Sequence, residues 1–261
     1  MDLGMPTLIE NRTLEENVRL CNALGLDFIE LNRNLPMFQT EQLKNTQALQ
    51  TIAERYQVYY TIHLDENCNV TDFNPMVADA YINTVIESIR IAKEAGIPLL
   101  NLHMNKGVYF TLPHQKIYLF ETFRDRYLEK IKSFRERCKA EIGSSPILIS
   151  IENTDGFCGF QKEAIEILLE SSHFSLTWDI GHSHVAGKTD ESFLWEHKNR
   201  LAHFHMHDAR EKENHLALGT GVIGLEDKFA LAKERNARCV LETKTIEGLK
   251  QSVQWIREHN L

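Results

Sequence analysis

The chain has 261 residues, 43% hydrophobic and 25% charged, a balance that supports a large buried core and excludes a disordered tail protein. Its formal net charge is −8 with no basic stripe, which disfavours nucleic acid as a general partner. No stretch approaches the roughly 18 apolar residues of a membrane span. The N-terminus lacks a signal-peptide pattern, and five cysteines at long spacings form neither a disulfide framework nor a zinc ribbon, so a cytoplasmic location is expected.

Short β-like runs alternate with amphipathic helical stretches along the whole chain. The first run is Leu3–Ile9, followed by a helix that Thr13 caps with Glu16 in a capping box. The second is Asp27–Leu31 and the third Val58–His63; a long helical pattern then runs from about Pro75 to Ala95 and is closed by Gly96. The fourth run is Pro98–His103, with a helical region over about Gln115–Ile142. Ile147–Glu152, Phe174–Asp179, Leu201–His207 and Ala237–Glu242 complete eight runs, the last leading into a terminal helix. Eight strands, each followed by a helix-length segment, predict a (β/α)8 TIM barrel in a single domain over residues 1–261. A doubly wound sheet would place a glycine-rich phosphate turn after its first strand, and "IENRTLEE" is not one.

Strands three to eight end in His63, His103, Glu152, Asp179, His205 and Glu242. His, Asp and Glu together occupy about one position in five, so six such ends in succession are not a chance pattern. In a barrel these ends share one mouth, where active sites sit. One position earlier lie Ile62, Leu102, Ile151, Trp178, Phe204 and Leu241, all apolar and in phase to face the helices. Two positions earlier lie Thr61, Asn101, Ser150, Thr177, His203 and Val240, five of them polar. A polar layer beneath the mouth suits a metal site, whose ligands need orienting partners. His203 belongs to that deeper layer, His207 lies one layer higher where it could touch substrate, and Glu30 is a further candidate at the mouth. The loops add His182, three residues past Asp179, and His215, preceded by Glu211 and Glu213 and followed by a GTG turn. The segment "GVYFTLPHQKIYLF" is either a lid or an oligomer contact.

These motifs, "IEN" at Glu152, "DIGHSH" at Asp179 and His182, "HMHD" at His205 and "NHLALGTGVI" at His215, resemble the xylose-isomerase-like TIM barrels, which include endonuclease IV and many sugar isomerases and epimerases. The isomerase resemblance implies one divalent ion on Glu152, Asp179, His205 and Glu242, with the two glutamates moving protons and His182 touching sugar. The endonuclease IV resemblance implies three zinc ions, with His63, His103, His182, Glu213 and His215 added; Glu213 departs from that pattern, which has Asp there. Nine candidates exceed the needs of one ion. The leading expectation is therefore a hydrolase of small phosphoesters or phosphodiesters with two or three zinc, manganese or iron ions, Glu152 bridging two of them and Lys106, Arg210 and Lys244 meeting phosphate. The alternative is an isomerase or epimerase of sugars or sugar phosphates with one ion and Glu152 and Glu242 as the acid–base pair. A non-catalytic binding barrel is a third reading, disfavoured because both glutamates are present.

Overall fold

The computed structural model describes all residues, 1–261. Its chain order is β1 (Asp2–Pro6), α1 (Leu14–Leu24), β2 (Phe28–Asn32), α2 (Thr40–Leu43), α3 (Thr46–Tyr56), β3 (Tyr59–His63), α4 (Pro75–Ala95) and β4 (Leu99–His103). A hairpin of β5 (Tyr109–Leu112) and β6 (Gln115–Tyr118) follows, then α5 (Leu119–Thr122), α6 (Arg124–Ile142), β7 (Leu148–Glu152), α7 (Gly159–Leu169) and β8 (Phe174–Asp179). The last third contains α8 (Ile180–Val185), α9 (Glu191–Glu196), β9 (Leu201–Met206), a second hairpin of β10 (Asp208–Arg210) and β11 (Glu213–Leu216), α10 (Leu225–Arg235), β12 (Arg238–Leu241) and α11 (Ile246–Glu258). Eight parallel strands close in the order β1-β12-β9-β8-β7-β4-β3-β2, the expected barrel. No helix is long and apolar enough to cross a membrane.

Local signals explain the helix ends. Thr13 Oγ1 accepts the Glu16 amide at 3.2 Å, and Glu16 Oε2 accepts the Thr13 amide at 3.1 Å, the reciprocal pair anticipated for α1. Asn74 caps α4, Pro75 opens it, and Gly96 ends it at φ 72°, a conformation that favours glycine. The expected helix over Gln115–Ile142 is a correction: residues 115–118 pair with Tyr109–Leu112 as an antiparallel hairpin, and helix begins at Leu119. Pro113 lies in the two-residue turn between the strands, and Tyr, Phe, Thr and Ile around it favour a pleated strand. Every residue of β5 is exposed, so this hairpin projects from the barrel.

The inward and outward phases follow the strand period. Ile62, Leu102, Ile151, Trp178, Phe204 and Leu241 are buried between sheet and helices. Trp178 lies against Phe204, with Lys228 Nζ 3.7 Å above its ring centre. Thr61, Asn101, Ser150, Thr177, His203 and Val240 are buried inside the ring. Register sets His103 beside Glu152 and Asp179 beside His205, so ligand-type side chains from distant segments become neighbours.

Candidate metal centre

Glu152, Asp179, His205 and Glu242 each offer one ligand atom within 4.8 Å of all the others. His205 Nδ1 is the hub. It lies 3.1 Å from Glu152 Oε1, 3.2 Å from Glu242 Oε2 and 3.7 Å from Asp179 Oδ2. All four residues are buried. Three carboxylates gathered out of water repel one another and demand a cation. Burial would push their protons on, yet neighbouring side chains win: His205 and His103 hold Glu152 well below the usual carboxylate range, His207 and His182 do so for Asp179, and His205 and Lys244 for Glu242.

The polar atoms here are close without being paired. Glu242 Oε2, His103 Nε2 and His182 Nδ1 are buried and lack hydrogen bonds, although a carboxylate or imidazole atom lies 3.1–3.2 Å from each. The donor set is mixed nitrogen and oxygen and suits zinc, manganese or iron. These residues fit a divalent ion.

Each side chain has a local reason for its place. Asp179 ends β8 and caps α8, its Oδ1 accepting the His182 amide at 2.7 Å. Asn153 clamps the same turn, donating to the Asp179 carbonyl at 2.9 Å and accepting its amide at 2.8 Å. Gly181 is required because a Cβ there would lie 1.9 Å from the His207 ring. Asn101 donates to Glu152 Oε2 from the layer below and is itself tied to Thr177 Oγ1 at 2.6 Å. Asn153 went unnoticed in the sequence, although the "IEN" motif contains it.

A second cluster surrounds the other oxygen of Glu152. His103 Nε2 lies 3.1 Å and His63 Nε2 3.4 Å from Oε2. His63 Nδ1 donates to the Leu64 carbonyl at 2.8 Å, which turns Nε2 toward Glu152. Burial opposes a charge on His63, but Glu152 overcomes it and raises its pKa to about 9.

The third group, His182, His207 and His215, is less suited to an ion. His207 Nδ1 accepts the His215 amide at 2.8 Å, so its proton is on Nε2 and is given to Asp179 Oδ1 at 2.9 Å. Both nitrogens are thereby engaged, and the ring is completely buried. His207, expected to reach substrate, instead positions Asp179. Glu213 is exposed at the tip of the β10–β11 hairpin, two residues farther out than His215 and outside every ligand group. It does not complete a third ion site.

The three expected phosphate contacts separate. Lys106 lines the mouth but pairs with Asp155 at 2.7 Å. Lys244 Nζ lies 2.9 Å from Glu242 Oε1. Arg210 is exposed, donates to the Thr220 carbonyl and does not line the cavity. A cavity of about 580 Å³ meets the centre at His103 and His182 and is also bordered by Asn67, Asn105, Lys106 and Asn214. Its polar lining mixes these neutral amides with the charged Glu66, Lys106 and Asp155.

The family described as xylose isomerase-like TIM barrel matches residues 18–259. An uncharacterised protein of Methanocaldococcus jannaschii is 26% identical over 229 residues, covering 83% of this chain and 75% of that protein. A solved structure described as a D-tagatose 3-epimerase-like protein superposes with a TM-score of 0.79 at 21% identity, covering 100% of this chain and 97% of that one. The IolI protein with a bound zinc atom gives 0.75 at 15%, covering 100% and 96%. D-Allulose 3-epimerase from Methylomonas sp. in complex with D-allulose gives 0.73 at 13%, covering 100% and 97%. At these identities the likeness to solved structures establishes the fold.

Proposed function

Since the chain belongs to the xylose isomerase-like TIM barrel family, we propose that it is a sugar epimerase or isomerase using one divalent metal ion. The single observation that carries this reading is the arrangement of Glu152, Asp179 and Glu242 around one imidazole nitrogen, that of His205. Several similar structures are described as sugar epimerases, which supports the reading. The leading expectation of a phosphoester hydrolase ranks below it. Glu213 is exposed, Lys106 is paired, and Arg210 stands outside the cavity.

A bound ion would supply a Lewis acid for the carbonyl and hydroxyl oxygens of a ketose or aldose. Glu152 and Glu242 are the two proton carriers. One takes the proton from the carbon beside the carbonyl, and the bonding pair moves into the carbon–carbon bond of an enediolate. The other, having collected a proton from water, delivers it to the opposite face, which inverts that carbon. Delivery to the neighbouring carbon would isomerise the sugar. Asn101 fixes the angle of Glu152, and Lys244 holds Glu242 in place. His63, His103, His182 and His215 present imidazoles to sugar hydroxyls. The neutral Asn67, Asn105 and Asn214 at the rim fit polyhydroxylated substrates.

The test is solvent exchange. Manganese-, cobalt- and zinc-loaded protein is incubated in deuterated water with free ketohexoses, pentoses and their phosphates, and proton NMR follows the carbon beside the carbonyl. Deuterium should enter there, with Glu152→Gln and Glu242→Gln each slowing entry by about 10²–10⁴-fold. No exchange from any sugar, together with cleavage of phosphoesters, would overturn the proposal. A second reading retains support from one feature, the approach of both His63 and His103 to the same Glu152 oxygen. A dinuclear site with Glu152 bridging would bind two ions per chain, and His103→Ala would then remove one of them.

A further inference from the structure

Beneath the four-residue group, on the inner face of β2, Glu30 is almost completely buried. It is the only charged residue of that strand, FIELN. Its carboxylate crosses the barrel interior to β9. Oε1 lies 2.8 Å from His205 Nε2, and Oε2 lies 2.9 Å from His203 Nε2 and 3.0 Å from Thr61 Oγ1. An ionised carboxylate only accepts hydrogen bonds, so all three partners must donate. His205 thus keeps a proton on Nε2, and Nδ1 is the ring atom left facing Glu152, Asp179 and Glu242. His203 donates in the same way, and its Nδ1 is buried with no partner.

This arrangement is costly as structure. The interior of an ordinary barrel at this depth is filled by branched apolar side chains. A buried carboxylate with two imidazoles is commonly no more stabilising than such a filling. We infer that Glu30 is a positioning residue that fixes the tautomer of His205, making Nδ1 the metal-binding atom, with His203 and Thr61 holding Glu30 at the right angle. This inference rests on the proposed metal site, and it assigns to that site a control point that lies below the mouth and out of reach of substrate. Gln at position 30 would offer one acceptor and one donor where two acceptors are needed. An amide N–H turned toward His205 would force the imidazole to accept at Nε2 and move its proton to Nδ1, where it would block the ion.

The experiment uses the full chain labelled with 15N-histidine. Long-range proton–nitrogen NMR reads the tautomer of His205 in metal-free and zinc-loaded protein, and competition with a chromophoric chelator gives the zinc affinity. In the wild-type chain His205 should keep a proton on Nε2 in both states, with Nδ1 losing any proton it holds and shifting when zinc is added. Glu30→Gln should show the Nδ1–H form and bind zinc about 10–100-fold more weakly, with urea unfolding used to confirm that it is folded. A wild-type His205 without a proton on Nε2 overturns the inference, as does a folded Glu30→Gln chain with unchanged tautomer and zinc affinity. Should Glu30→Gln fail to fold, the wild-type spectrum alone decides the matter. Wild-type protein that binds no zinc would instead count against the proposed function, and its metal-free spectrum would still decide whether Glu30 sets the tautomer.

Discussion

His215 and His63 flank the same group of buried carboxylates, Glu242 and Glu152, yet their protons respond in opposite directions. Burial, reinforced by His207 and Lys244, lowers the pKa of His215 to about 4 despite the nearby Glu242, whereas Glu152 raises that of His63 to about 9. For His215 the folded value lies below the unfolded one of about 6.5. The unfolded chain therefore takes up the proton first, and stability falls as pH drops from about 6.5 to 4, by as much as about 2 kcal/mol at pH 5. For His63 the sign reverses, with stability complete below about 6.5 and lost as pH rises through 9. His215→Asn should shrink the fall in urea midpoint between pH 7 and pH 5; an unchanged fall would refute the assignment. Cysteines give a simpler check. Cys21, Cys68, Cys138 and Cys239 are buried, which pushes the first two up to about 12, and Cys158 is partly exposed. One thiol equivalent should react with a disulfide reagent in native protein at pH 8, and five in denaturant. At this scale the chemistry of the mouth was legible, because a strand's final residue is fixed by where its apolar alternation stops. The partners of those residues were less so. His207 sits in phase with His205 and looked free, but the amide of His215 engages it, a contact made by a loop that has no periodic signal.

The loop carrying His215 is held by one buried carboxylate. Asp208 accepts the amides of Ala209 at 2.9 Å, Ile223 at 3.1 Å, Gly219 at 3.1 Å and Gly221 at 2.8 Å. Gly221 is needed there, since a Cβ would stand 2.3 Å from Asp208 Oδ1. Asp208→Ala leaves these amides without partners and should cost about 3 kcal/mol or more. Urea titration measures this, and a loss under 1 kcal/mol would mean that water replaces the carboxylate. Gly181→Ala should disturb the centre more than the fold, because the added methyl meets the His207 ring that positions Asp179. Its expected signature is weakened zinc binding in a chain that still unfolds cooperatively. Among the elements, α1 and α4 were readable from their caps, while the two hairpins were not. Each is a short strand pair lying outside the barrel, so no alternation between a core face and a solvent face marks it.

Taken whole, the molecule is a ring whose polar layer turns a structural core into a support for ligands. Saturating zinc should raise stability by about 2.7 kcal/mol at a hundred times its Kd, a rise in Tm of roughly 5–10 °C for a chain of this size. A chelator should return the melting curve to that of metal-free protein, and identical curves with and without zinc would show that the centre is not a metal site. The barrel was legible because eight apolar runs recur with helices between them. The grouping of its candidate ligands was harder to read, because they can be counted in a sequence but their convergence on one nitrogen cannot. The ring closes where β1, at Asp2–Pro6, pairs with β12, at Arg238–Leu241, and Glu242 follows directly. That pairing has a consequence in time. During synthesis β1 must wait for β12, and a chain that stops before Glu242 holds three of the four candidate ligands but not the fourth. On the proposed reading, full metal retention needs the ring closed through β12, so loss of metal would mark a chain broken before Glu242 ahead of any assay of its activity.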